Sequence, residues 1–191
     1  MEMLKDAIKA QGVGIGNDIV KVDSFLNHRI DTALSTAMGQ AIHDAFAEEQ
    51  VDCILTVEAS GIAVAITTAQ AFGNIPVVFA KKGATTNVGT DVYSAKVYSF
   101  THNVMNAVRV SKKHLHAGDR VLLVDDFLAN GEALNGLLDI CKQAGCIPVG
   151  AAVCVEKGFQ DGGKKLRESG LKVVSLATVG AIQDGKIILA E

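Results

Sequence analysis

Tryptophan is absent from this sequence and aromatic residues make up only 5% of it, so the core must rest on Ala, Val, Ile and Leu. Cysteine is sparse: Cys53, Cys141, Cys146 and Cys154 form no C-x-x-C pair, which excludes zinc-site and disulfide-framework readings and leaves inert thiols. There is no excess of basic charge. A net charge of −3 offers no clustered cationic face of the kind nucleic acid requires. No apolar run approaches the ~18–20 residues needed to span a bilayer. The opening MEMLKDAIKA carries charges where a signal peptide needs an apolar core. A cytoplasmic location is therefore expected, with neither nucleic acid nor membrane as partner. Internal repeats and Pro/Ser-rich linkers are also missing, so one domain spanning 191 residues is expected, long enough to bury a core.

What is present is an apolar fraction of 49% beside 20% charged residues, the balance of a folded globular chain. Asp31 is placed to cap a first helix in which Leu34, Met38, Ala41, Ile42, Ala45 and Phe46 keep helical spacing. CILTVEASG reads as a strand entering a tight turn, IAVAITTAQAFG as a helix stopped by Gly73, and IPVVFAKK as the next strand. Residues 83–91 read as a polar loop mounted on a hairpin of DVYSAKVYSF and VMNAVRVS. His114 and His116, beside Lys112 and Lys113, read as a solvated turn before the strand RVLLVDD. GEALNGLLDICKQAG follows as a helix, IPVGAAVCVEK as a strand, GGKKLRESG as a short helix, and LKVVSLA and KIILAE as closing strands. Apolar strands alternating with helices predict an α/β fold, a mostly parallel sheet flanked by helices on both faces. Ligands bind such sheets beyond the carboxyl ends of the strands. By this reading Glu58, Asp125–Asp126 and Glu156–Lys157 all fall there.

The segment VLLVDDFLANGEAL places two adjacent acids where an apolar strand is expected to run out. They could simply cap a solvated loop. The residues that follow suggest more. FLANGEA returns the chain to a helix beginning near Gly131, whose unpaired N–H groups and dipole suit a phosphate. Neither G-x-G-x-x-G nor G-K-[ST] occurs in this setting, so dinucleotides and ATP are not the natural ligands. Carboxylates accept hydrogen bonds from vicinal sugar hydroxyls. An acid pair followed by a phosphate-binding turn therefore fits a ribose 5-phosphate.

This segment resembles the thirteen-residue signature of the type I phosphoribosyltransferases: an apolar strand, two acids and a small-residue turn. The resemblance implies that Asp125 and Asp126 are the catalytic acids, holding the ribose 2- and 3-hydroxyls of 5-phosphoribosyl-1-diphosphate. It implies that Ala129, Asn130, Gly131, Glu132 and Ala133 cradle the 5-phosphate. VEASG is similar to the family's diphosphate loop, which brings in Glu58, Ala59, Ser60 and Gly61. AKKGATTNVGTD resembles a flap closing over the diphosphate, with Lys81 and Lys82 as donors, Lys81 across a dimer interface; ordinary surface charge is the other reading. The resemblance further implies Mg²⁺ carried by substrate and waters, a homodimer, and a hood over the base formed by residues 1–30 and roughly 157–191.

Within the family, VKVDSFLNHRID, EASGIA, VYSFT, DDFLANG and EKGFQ resemble members that act on xanthine, and the match spans nearly the whole chain. Ala59 stands where that pattern has serine and Val20 where leucine is usual; both keep small or apolar character. The resemblance makes Lys157 the base selector, because an ammonium only donates and so suits a 6-oxo group and opposes the amino group of adenine. Asn27 would answer the 2-oxo group and a ring N–H, Val20 would form an apolar wall, and Phe159 would stack on the purine. Read locally, spacing favours Asn27 as a turn residue, and Phe159 is equally a core aromatic. Two alternatives stay open: a transferase for guanine/hypoxanthine or adenine, and a purine-sensing transcriptional regulator on the same fold. The regulator would need an added basic segment, which the stretch before the expected first helix does not supply.

Overall fold

The computed structural model describes residues 1–83, 91–99 and 104–190. In chain order the elements are α1 (Glu2–Gln11), β1 (Val13–Ile15), β2 (Ile19–Lys21), a π-helical turn (Asp23–Asn27), α2 (Thr32–Ala45), β3 (Cys53–Val57), α3 (Gly61–Ala71), β4 (Val77–Lys82), β5 (Val92–Ser99), β6 (Val104–Ser111), β7 (Arg120–Leu128), α4 (Glu132–Ala144), β8 (Ile147–Lys157), α5 (Gly162–Glu168), β9 (Val173–Gln183) and β10 (Lys186–Leu189). Among the described residues, eight strands form one sheet in the order β10-β9-β8-β7-β3-β4-β6-β5, and β1 pairs with β2 separately. Strands β9, β8, β7, β3 and β4 are parallel. β10 and the β5–β6 hairpin close the two edges antiparallel. The α/β architecture is the one the alternation of strands and helices predicts.

The central strands must be apolar on both faces because helices cover both. All five residues of β3 are buried. Successive β7 residues point to opposite faces: Leu122 and Val124 join the layer with α1, α2 and α3, whereas Leu123 joins Leu137 and Ile140 of α4. Each fully buried Leu or Ile in these layers contributes roughly 1.5–3 kcal/mol. Asp31 caps α2 as its position predicts, its Oδ1 accepting the Leu34 N–H at 3.0 Å. Gly39 lets α2 and α3 cross closely, since a Cβ there would sit 2.5 Å from the Thr67 carbonyl oxygen.

Three features differ from the sequence reading. The first helix is α1, not α2, and it buries Leu4 and Ile8 while presenting its charges outward. A short β1–β2 hairpin, turning at Gly16 with φ +59°, precedes α2 where the sequence reading has no strand. Strand β7 also runs past the acid pair to Leu128, held in register with β8 as far as Glu156. The hairpin expected around the flap is present as β5 and β6, but residues 84–90 of the loop lie outside those described. Burial pushes the Cys53 and Cys141 thiols up to about 12, in keeping with inert sulfur. His114 and His116 are exposed. Among the described residues no helix is long and apolar enough to cross a membrane.

Candidate active site

Asp125 and Asp126 lie near the carboxyl end of β7, in the middle of the sheet, and both are buried. The Asp126 N–H donates to Asp125 Oδ1 at 2.9 Å. Burial pushes the Asp125 carboxyl well above the ordinary carboxylate range; the neighbouring Asp126 charge adds to the rise and Lys82 opposes it. Desolvation and like charge both disfavour two anions here. The pair is thus poised for a ligand that donates hydrogen bonds or brings positive charge. A carboxylic acid with a raised folded-state pKa contributes stability below the ordinary carboxylate range and loses it as pH rises through the elevated value. Asp125→Asn, which cannot ionise, is therefore expected to be more stable than the parent at neutral pH, by roughly 1 kcal/mol or about 2–4 °C in Tm. Thermal melts across about pH 4–8 check this, with the gain vanishing at the acid end; a variant no more stable at neutral pH would show that the charge carries no cost.

The turn after β7 supplies a second component. Gly131 adopts φ +85°, a left-handed conformation that suits glycine, and it precedes α4 without any side-chain cap. The N–H groups of the first turn of α4 therefore remain open donors at the positive end of its dipole. Asp125, Asp126, Asn130, Gly131 and Glu132 line one cavity of about 380 Å³, together with Ala129 and Ala133. The cavity is thus lined both by open backbone donors and by carboxylate acceptors.

The β3–α3 turn also lines this cavity, through Glu58 and Ser60. Glu58 Oε1 accepts the Lys82 backbone N–H at 2.6 Å, which ties the turn to the end of β4. A Cβ on Gly61 would overlap Thr56 Oγ1 and lie 2.9 Å from Asp125 Oδ1, so the glycine allows this turn to approach the acids. Ala59 and Gly61 belong to the turn without lining the cavity. Nor does Lys81, because strand alternation sends neighbours to opposite faces. Lys82 faces the cavity, while the Lys81 ammonium lies 5.8 Å over the exposed Phe79 ring. Tyr98 of β5 and Asn106 of β6 also line the cavity, unforeseen from their local sequence. The hairpin reaches it by lying on α4, where Gly136 leaves room for Val97.

The remaining predicted residues form a second group. Asn27 ends the π-helical turn, and its side-chain amide donates to Asp126 Oδ2 at 3.1 Å. Lys157 ends β8, and its ammonium donates to the Asp18 carbonyl oxygen at 2.6 Å. Burial lowers the Lys157 pKa and Asp18 raises it in return. One short segment, Asp18 to Asn27, thus touches both Lys157 and the acid pair. Val20 lies buried within that segment, and Phe159 stands exposed just beyond Lys157. Glu156, expected to face the crevice, does not. It accepts two hydrogen bonds from the Arg167 guanidinium, at 2.8 and 2.6 Å, and another from Ser175 Oγ. Arg167 holds its carboxyl below the usual range against the effect of burial.

The chain matches the family described as Phosphoribosyl transferase domain over residues 21–181. It is 49% identical to the xanthine phosphoribosyltransferase of Ruminiclostridium cellulolyticum over 100% of both chains. Identity to the xanthine phosphoribosyltransferase of Laribacter hongkongensis is 47%, covering 98% of each chain. Among solved structures, the adenine phosphoribosyltransferase of Rhodothermus marinus superposes with a TM-score of 0.74 at 19% identity, covering 93% of this chain and 97% of that one. That last likeness speaks to the fold alone.

Proposed function

The chain belongs to the phosphoribosyl transferase family, and we propose that it transfers the 5-phosphoribosyl group of 5-phosphoribosyl-1-diphosphate to N9 of xanthine. The products are xanthosine 5-phosphate and diphosphate, a purine-salvage reaction in the cytoplasm. The observation that carries this reading is the meeting of two buried carboxylates and an uncapped helix N-terminus in one cavity. The ribose 2- and 3-hydroxyls donate to Asp125 and Asp126, and the 5-phosphate accepts from the N–H groups of Ala129 to Ala133. As the C1–O bond to diphosphate breaks, its electron pair leaves with the diphosphate and positive charge develops on C1 and the ring oxygen. N9 supplies the electron pair for the new bond, and the imidazole proton of xanthine is released with the diphosphate. The acid pair stabilises that charge, so catalysis rests on positioning and electrostatics and needs no covalent nucleophile.

The Glu58–Gly61 turn and Lys82 face the diphosphate. Lys81, turned outward in its own protomer, reaches the diphosphate of its partner in a homodimer. The donor set suits Mg²⁺ that arrives with substrate, because this ion keeps several waters and needs only one or two carboxylates near its substrate oxygens. When bound, Mg²⁺ neutralises charge on the leaving diphosphate. On the base side Lys157 donates to the 6-oxo group, Asn27 meets the 2-oxo group and a ring N–H, Val20 forms the wall and Phe159 stacks on the ring. The hood is assigned to residues 1–30 and roughly 157–191; among the described residues α1 and β1 pack on β9 and β10, and the Gly14 N–H donates to the Gly185 carbonyl at 2.9 Å. The hood shares β9 with the main sheet. Comparison of kcat/KM for xanthine, guanine, hypoxanthine and adenine tests the reading. Xanthine is expected to lead by about tenfold or more, the scale of one hydrogen-bond mismatch in a closed pocket; equal or better use of adenine would overturn the choice of base.

A further inference from the structure

Next to the turn at Ala129–Gly131 lies a helix whose burial the transfer reaction leaves unexplained. α5 has only 7 residues, yet its first two, Gly162 and Gly163, are buried. A Cβ on Gly162 would overlap the Ala129 carbonyl oxygen and lie 2.5 Å from the Asn130 carbonyl carbon and 2.6 Å from the Gly131 nitrogen. All three are backbone atoms of the turn, and unlike a flexible side chain they cannot swing aside. The contact is mutual: a Cβ on Gly131 would meet Gly162 Cα at 3.4 Å and Leu166 Cδ1 at 3.5 Å. Leu166 is itself buried.

The next residue of α5 is pressed against an anchor. A Cβ on Gly163 would overlap Glu156 Oε1 and lie 2.7 Å from Arg167 Nη1. Those atoms belong to the bidentate Arg167–Glu156 pair, whose acid sits at the end of β8 and whose base sits on α5. A planar two-point pair of this kind fixes orientation as well as distance. A continuous chain of contacts therefore runs from the sheet through the ion pair and the α5 glycines to the turn.

We propose that Gly162 and Gly163 are positioning residues for phosphoribosyl transfer: their bare backbone is the floor on which the phosphate-binding turn rests, and the Arg167–Glu156 pair holds that floor to the sheet. The proposal rests on the assignment of Ala129–Ala133 to the 5-phosphate. Convergent N–H donors lose their hold on an anion when the loop shifts, and a 1 Å misplacement can cost on the order of 10²-fold.

The test is calorimetric titration with ribose 5-phosphate, beside steady-state kinetics in both substrates. Gly162→Ala is expected to weaken ribose 5-phosphate binding and raise KM for 5-phosphoribosyl-1-diphosphate by about tenfold or more, with KM for xanthine unchanged. Arg167→Ala, which spares the glycines and cuts the anchor, is expected to show the same split between substrates, and Arg167→Lys to recover part of it. Unchanged ribose 5-phosphate affinity in a folded Gly162→Ala protein overturns the proposal. Should that variant fail to fold, Arg167→Ala decides in its place, and unchanged affinity there overturns it too. Asp126→Asn in the same titration separates the two levels of the argument. Lost binding in Asp126→Asn with unchanged binding in Gly162→Ala refutes the floor and leaves the site intact, whereas unchanged binding in both refutes the site itself.

Discussion

Asp126→Asn is expected to lower kcat by on the order of 10²–10³-fold, the scale on which removal of one preorganised electrostatic group acts. The substitution keeps shape and volume, so packing around β7 should survive. What changes is charge and hydrogen-bond polarity. Asp126 accepts the Asn27 side-chain amide at 3.1 Å, and an amide placed there answers that donor more weakly. An acceptor-only group that receives a ribose hydroxyl becomes a mixed donor and acceptor. In the proposed reaction, negative charge set against the developing cation at C1 is removed from a desolvated site, where its effect is largest. Stability should move the other way, because Asp125 loses a like-charged neighbour that helps hold its carboxyl above the usual range. Single-turnover kinetics and thermal melts on the same preparation give both readouts. Near-normal turnover would return the acid pair to a structural role at the end of β7.

Legibility in the sequence followed distance along the chain. The strand–turn–helix unit from Val121 to Ala144 is local: an apolar run, a glycine with positive φ and helical periodicity lie within one stretch, and each reports its own element. The cap at Asp31 is local as well. What could not be read was set by partners far away. Strand β7 continues past Asp126 because β8 offers ladder positions from Ile147 to Glu156, which no property of VLLVDD reveals. Lys81 and Lys82 are alike in type, so the face that meets the cavity depends on the phase of β4 beside β3 and β6. Glu156 and Lys157 are split by the same alternation, and Glu156 turns to an arginine on the following helix. Charges spread through MEMLKDAIKA hid the Leu4–Ile8 spacing that seats α1. Asn27 and Asp126, 99 positions apart, meet only once the fold is made.

Lys157→Gln is expected to change which base is used, whereas Lys157→Ala is expected to remove base selection without replacement. The ammonium has three donors, and one is spent on the Asp18 carbonyl at 2.6 Å, which leaves two for the base contact proposed above. Neither can accept from an exocyclic amino group, so adenine meets a mismatched donor while a 6-oxopurine is satisfied. A hydrogen bond from a charged donor is worth roughly 1.5–3 kcal/mol, so Lys157→Ala should cut kcat/KM for xanthine by about 10- to 150-fold. Ribose 5-phosphate affinity should be retained, because Asp125, Asp126 and the turn before α4 are untouched. Glutamine restores a donor and adds an acceptor, so the ratio of kcat/KM for xanthine to that for adenine should fall further in Lys157→Gln than in Lys157→Ala. The lost Asp18 contact also loosens the β1–β2 turn, a change common to both variants, so the contrast between them isolates the chemistry at the base. Unchanged xanthine turnover in Lys157→Ala would move base selection elsewhere in the hood, with Asn27, already held against Asp126, the next residue to test.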